Sequence, residues 1–190
     1  MEIILAKSCG FCSGVKRAVD TAERVCGEGV YILGELIHNE KVVEKITETG
    51  TRVVKSVDEI DGGKVIIRSH GEGKAVFEKL RDKGVEIVDC TCPFVKKTQR
   101  IVEEYHEKGY EIVIAGEKNH PEVIGLDGWC DGTAFVTDGD DDLSRFEGKK
   151  VCIVAQTTFS AEKFDLFLQK IKKNRFKTVE IFNTICYTTR

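Results

Sequence analysis

Short apolar runs alternate with stripes of helical period along the whole chain, and this alternation narrows the possible folds more than any other feature. The runs are "IILA" (3–6), "VYILG" (30–34), "KVIIR" (64–68), "VEIVD" (85–89), "EIVIAG" (111–116), "AFV" (134–136), "KVCIVA" (150–155) and "VEIFN" (179–183). Between the first two, Val15, Ala18, Val19, Ala22, Val25 and Cys26 recur at the spacing of one helix face. Val42, Val43 and Ile46 do the same before Gly50 ends the segment. Further helices are expected near 73–83 and 95–108, and Phe164, Phe167, Leu168 and Ile171 share a face of another. Strand, helix, strand, helix predicts an α/β fold with small, mostly parallel sheets covered on both faces. No linker rich in proline or glycine interrupts it, and 190 residues suffice for one large or two small α/β domains.

Composition excludes several classes. Hydrophobic residues at 41% and charged ones at 32% describe a globular chain rather than a disordered one. A net charge of −3, with lysines dispersed among acids, gives no electrostatic footprint for nucleic acid. No apolar run is long enough to span a membrane. "MEIILAK" also lacks the basic start, long apolar centre and small-residue cleavage site of a signal peptide, so a cytoplasmic protein is expected. In that compartment eight cysteines read first as free thiols, metal ligands or catalytic groups.

The polar and reactive residues that stand out share one place: just past the carboxyl end of an apolar run. Cys12 follows "IILA", His38 follows "VYILG", and Ser69 and His70 follow "VIIR". Cys92 follows "VEIVD", His120 and Glu122 follow "EIVIAG", Gln156 and Thr157 follow "VCIVA", and Cys186 follows "VEIFN". In open parallel sheets the ligand crevice lies outside those ends. Both prolines of the chain fall inside these segments, in "TCPFV" (91–95) and "NHPEV" (119–123), where each stiffens a turn or opens a helix.

Three uses of the cysteines stay open. Cys9 and Cys12 form a C-x-x-C pair, which suits a redox dithiol or half of a zinc site. No second pair at that spacing exists, since "CTC" (90–92) is too tight. Alternatively Cys12, Cys92 and Cys186, one per loop, serve a shared centre; soft thiolates suit an iron–sulfur cluster, and three of them leave one iron without a protein ligand. Cys26, Cys130 and Cys152 sit in apolar surroundings and read as core residues. Of the four histidines, His106 lies in a charged helical stretch and reads as solvated. His38, His70 and His120 occupy strand-end loops, where imidazoles and helix starts suit a phosphate anion. Glu122 reads as a general acid if burial raises its pKa. "HGEGKA" (70–75) lacks phosphate-loop spacing, and "DGDDD" (138–142) lacks the glycine and glutamate of a calcium loop, so both read as turns and caps.

Taken in order, "GFCSGVKRAV", "ELIHNEKVV", "IRSHG", "DCTCPFVKK", "GEKNHPEVIG", "AQTTFS" and "NTICYTT" resemble the 4-hydroxy-3-methylbut-2-enyl diphosphate reductases, the LytB-type enzymes of the non-mevalonate isoprenoid pathway. The resemblance spans the whole chain. It implies a [4Fe–4S] cluster held by Cys12, Cys92 and Cys186, with the fourth iron taking the allylic hydroxyl of the substrate. It also implies a diphosphate pocket lined by His38, His70 and His120, proton delivery by Glu122, and active-site roles for Thr157 and Thr189. Cys9 is not at a family ligand position. The implied activity is reductive dehydroxylation to isopentenyl and dimethylallyl diphosphate, with ferredoxin or flavodoxin as electron donor. The implied fold is a trefoil of three α/β domains around the cluster. On that pattern residues 1–96 and 97–184 are expected to form two similar domains and 185–190 to begin a third that is absent, since family members continue for about another domain. A truncated, non-catalytic iron–sulfur or zinc-binding module is the alternative expectation.

Overall fold

The computed structural model describes residue 4 and residues 9–189, with Thr189 described in its backbone alone. Apart from Ile4, the strand expected at 3–6 lies outside these residues. Strands β1 (Val30–Leu33), β2 (Arg52–Val54), β3 (Lys64–Ile67) and β4 (Glu86–Asp89) form one sheet, in the order β2-β1-β3-β4. Strands β5 (Glu111–Ala115), β6 (Phe135–Thr137), β7 (Lys150–Ala155) and β8 (Thr178–Phe182) form a second, in the order β6-β5-β7-β8. Every pairing is parallel, and the second sheet repeats the strand permutation of the first.

Burial explains which runs become central. β1, β3, β5 and β7 are apolar almost without interruption and are buried along nearly their whole length, as strands covered on both faces must be. β8 lies at an edge and alternates between partly buried and exposed positions. The edge strand β2 is not among the expected strands. It has three residues, of which only Val54 is buried, so its sequence carries no readable alternation.

Helices α1 (Ser13–Val25), α2 (Glu40–Thr47), α3 (Lys74–Asp82), α4 (Pro93–Glu107), α5 (Pro121–Asp127) and α6 (Ala161–Ile171) connect and cover the strands. Ala18, Val19 and Ala22 of α1 and Ile46 of α2 pack with Ile32 and Ile66 on one face of the first sheet. Phe77 and Leu80 of α3 pack with Leu33, Val65 and Ile67 on the other. On the second sheet, Phe164, Phe167 and Ile171 of α6 pack with Val113, Val151 and Ile153, and α4 and α5 bring Val102, Val123 and Leu126 to the opposite face. Both prolines take the first position of a helix, Pro93 in α4 and Pro121 in α5, where their missing N–H costs nothing. Among the described residues no helix is long and apolar enough to cross a membrane.

Two positions of α6 test this packing. Phe164 is fully buried, whereas Leu166 is 51% exposed. Phe164→Ala is expected to cost about 3–5 kcal/mol of unfolding free energy. Leu166→Ala is expected to stay within about 0.5 kcal/mol of the parent. Chemical denaturation of the purified variants measures both.

Candidate active site

In each sheet the strand order reverses between the two central strands, which places the crevice beyond the carboxyl ends of β1 and β3 and of β5 and β7. The site residues follow the repeat. His38 follows β1 as His120 follows β5, Ser69 and His70 follow β3 as Gln156 and Thr157 follow β7, and Cys92 follows β4 as Cys186 follows β8. Equivalent loops of the two sheets thus carry equivalent groups to the same end of the molecule.

One cavity of about 150 Å³ gathers Cys12, Cys92 and Cys186 together with His70, Glu122 and Thr157. Cys12 and Cys92 are the residues that cap the N-termini of α1 and α4, where the helix dipole favours a thiolate. The backbone N–H of Cys92 donates to the Ser69 carbonyl at 2.9 Å, and that of Cys186 donates to the Thr157 carbonyl at 2.8 Å, so each thiol hangs from a neighbouring strand-end loop. Gly14 lets the Cys92 thiol lie close against α1, because a Cβ at position 14 would meet the Cys92 sulfur at 2.6 Å. Burial pushes the Cys92 thiol up; the N–H groups of Phe94 and Val95 pull it back, while Cys12 and Cys186 push it further up. Three thiols lining one cavity, two of them at helix starts, fit a cationic group that binds thiolates.

The three histidines of the strand-end loops meet beside this cavity. Ring centroids are 4.5 Å apart for His38 and His70, 5.4 Å for His70 and His120, and 5.9 Å for His38 and His120. One ring nitrogen from each of the three lies within 4.8 Å of the other two. Burial drives His70 down to about 3, and His38, His120 and Arg68 act in the same direction. Burial, then His38, also lowers His120. Nδ1 of His120 accepts from the Glu122 N–H at 3.1 Å, so the proton of the neutral ring sits on Nε2. Without a ligand, His70 and His120 are therefore neutral near pH 7 and present N–H donors; an anion would favour taking up further protons.

Glu122 is only 1% exposed. One carboxylate oxygen accepts from the Thr157 N–H at 2.6 Å, and the other lies 2.7 Å from the Thr157 hydroxyl. Burial raises the Glu122 pKa, and the two Thr157 contacts oppose that rise. The carboxyl is thus suited to keep a proton at higher pH than a surface glutamate and to exchange it with the Thr157 hydroxyl. Thr158 and Thr188 also line the cavity, although their sequence context did not single them out. Gln156 holds Thr158 with a 2.8 Å bond from its side-chain amide.

Other expected groups stand elsewhere. Cys9 is exposed and lies outside the residues lining the cavity. Cys90 is buried, and burial pushes it up to about 11. Cys130 and Cys152 belong to the apolar layer between α4, α5 and the second sheet. Partly exposed Cys26 caps the end of α1 and donates to the Glu23 carbonyl at 3.3 Å. His106 contacts Asp131 at 3.2 Å. In "DGDDD", Asp138 and Asp142 accept from the N–H groups of Asp140 and Ser144, as turn and cap residues do. Thr189 ends a 3₁₀ turn (Tyr187–Thr189), and its side chain lies outside the described residues.

Two charges near the histidines, the buried Glu72 and the partly buried Arg68, had no sequence signal beyond their position. Arg68 and Glu72 pair at 2.8 Å across the loop that carries His70. The Glu72 carbonyl in turn accepts from the Trp129 indole N–H at 2.9 Å and from the Gln99 amide at 3.4 Å.

The fold and site together define a repeated parallel α/β protein in which strand ends gather three thiols, three imidazoles and a buried carboxyl, a donor set suited to a thiolate-held metal centre beside an anion pocket. Known proteins resemble the chain along its whole length. A family model described as LytB protein matches residues 3–190. A 4-hydroxy-3-methylbut-2-enyl diphosphate reductase of Thermoanaerobacter sp. (strain X514) is 46% identical over all of this chain and 68% of its own length. One from Clostridioides difficile (strain 630) is 41% identical over all of this chain and 70% of its own length. Among solved structures, the E-1-hydroxy-2-methyl-but-2-enyl-4-diphosphate reductase of Plasmodium falciparum superimposes with a TM-score of 0.85 at 30% identity, covering 95% of this chain and 59% of that one. An (E)-4-hydroxy-3-methyl-but-2-enyl diphosphate reductase, described as the terminal enzyme of the non-mevalonate pathway, superimposes with a TM-score of 0.78 at 39% identity, covering 97% and 68%. The chain belongs to the LytB family. It spans about two thirds of the length of these curated relatives.

The depressed His70 pKa sets a pH dependence. The unfolded chain protonates this ring near 6.5, whereas the folded chain does so only near 3. Falling pH therefore favours the unfolded state through that window. His70→Gln removes this contribution. Between pH 7 and 5 the variant is expected to lose less stability than the parent by on the order of 2 kcal/mol. Denaturation curves at the two pH values measure the difference.

Proposed function

We propose that this chain carries the cluster-binding and substrate-binding halves of a 4-hydroxy-3-methylbut-2-enyl diphosphate reductase. The observation that carries this reading is the shared cavity. Cys12, Cys92 and Cys186, separated by 80 and 94 residues in sequence, line it with His70, Glu122 and Thr157. The names of the relatives support the same activity.

In this reading the three cysteine sulfurs hold a [4Fe–4S] cluster. When bound, the cluster supplies one-electron transfer and an iron open to a substrate oxygen. Everything else falls to the chain. His38, His70 and His120 hold the diphosphate, donating from their ring N–H groups. Glu122 and Thr157 hold a proton between them in a nearly dry setting and provide it to the departing allylic hydroxyl. The walls formed by Val15, Phe94 and Val95 keep the hydrocarbon part of the substrate out of water. Overall, two electrons and two protons convert the allylic alcohol to water and isopentenyl or dimethylallyl diphosphate. The reducing partner is a one-electron carrier of the ferredoxin or flavodoxin class, and the compartment is the cytoplasm. Residues 1–96 and 97–184 make up two domains of a three-domain arrangement, and Thr189 adds a further active-site hydroxyl.

Paired cysteine variants test this proposal. After anaerobic reconstitution, Cys9→Ser is expected to hold as much iron and sulfide as the parent, with the same visible absorption. Cys186→Ser is expected to lose most of both. The reverse pattern, with iron or zinc dependent on Cys9 and indifferent to Cys186, would contradict the three-loop centre.

A further inference from the structure

The anion pocket is built from both sheets, so the separation of its histidines depends on what fixes one sheet's loops against the other's. His70 belongs to the loop after β3, whereas His120 and Glu122 belong to the start of α5. Two sets of contacts join those elements. Gly73 and Gly128 are in backbone contact: a Cβ at 128 would meet the Gly73 Cα at 2.7 Å, and one at 73 would meet the Gly128 Cα at 3.0 Å. The Lys74 N–H donates to the Gly128 carbonyl at 3.2 Å beside that contact. Next to it, the Trp129 indole N–H donates to the Glu72 carbonyl at 2.9 Å.

We propose that Trp129 and Gly128 are positioning residues of the anion pocket, which set the distance of His70 from His120 and Glu122 through the loop at 70–73. This inference rests on the reading of the three histidines as the diphosphate site.

Each side of the joint is stiff. Arg68 and Glu72 close the His70 loop on itself with their 2.8 Å ion pair, so a displacement at Glu72 is passed to His70. On the other side, α5 runs from His120 at its cap through Glu122 to Gly125, and Gly128 and Trp129 follow directly. Gly125 packs near the Gly71 carbonyl, with 3.5 Å from its Cβ position. Trp129 is also the one tryptophan of the chain, and its ring packs with the apolar layers of both sheets. A large ring that only filled space could do so without its N–H. Here the N–H is spent on the loop that carries His70.

A pair of variants separates positioning from packing. Trp129→Phe keeps an aromatic ring and removes the N–H. Phe77→Leu disturbs the packing of the ring that lies 6.1 Å from Trp129, and leaves the hydrogen bond in place. Binding of inorganic diphosphate to the cluster-loaded chain is measured by calorimetry, and the unfolding midpoint is measured in parallel. Trp129→Phe is expected to weaken diphosphate roughly 3- to 10-fold, the loss of one net hydrogen bond. Phe77→Leu is expected to lower the midpoint and leave the affinity unchanged. If Gly128→Ala folds, it is expected to weaken diphosphate more than Trp129→Phe, because its clash is with backbone. Affinity that follows the midpoint in all variants, or does not change in Trp129→Phe, overturns the inference. A parent chain that binds no diphosphate overturns the histidine reading itself, a result recognisable without any variant.

Discussion

All strands of a parallel sheet deliver their carboxyl ends to one edge, and everything chemical in this molecule depends on that constraint. Two four-stranded sheets with the same permutation send His38, His70 and Cys92 from one edge and His120, Thr157 and Cys186 from the other. Because the central strands are buried on both faces, the edges cannot shift independently of the core. The repeat therefore does more than economise on folds. It makes a two-sided pocket out of two one-sided edges.

The electrostatics of this pocket are those of a site prepared for charge that it does not itself carry. His70 and His120 are held neutral mainly by burial, Glu122 is pushed toward its protonated form, and the buried Cys92 thiol is raised further by its two neighbours. Each of these shifts is toward the uncharged form, as desolvation requires. An anion at the imidazoles and a cationic group at the thiols would each reverse those shifts locally.

Much of this was legible in the sequence. The apolar runs at β1, β3, β5 and β7 announced strands of a mostly parallel, doubly covered sheet, and the reactive residues could be assigned to strand ends from spacing alone. The phenylalanine stripe of α6 lies where its period puts it, with Phe164 and Phe167 fully buried. β2 was missed, since three residues with one buried position give no period to read. Arg68, Glu72 and Trp129 were missed for another reason. Their partners are 4 and 57 residues away and include a backbone carbonyl, and no one-dimensional pattern encodes such a meeting. Gly128 is similar, since a close backbone approach shows only when both strands of the contact are in place. The candidate ligands stood out by residue type; the residues packed behind them did not.

In the proposed reading, a cluster held by Cys12, Cys92 and Cys186 would leave one iron open to the substrate beside Glu122 and Thr157. Mössbauer spectra of the anaerobically reconstituted, iron-57-labelled chain, with and without 4-hydroxy-3-methylbut-2-enyl diphosphate, test it most directly. One iron in four is expected to change its isomer shift on adding the diphosphate, and the other three to keep theirs. Four irons that are equivalent and indifferent to the diphosphate, in a chain that binds it, would rule out an iron open to the substrate.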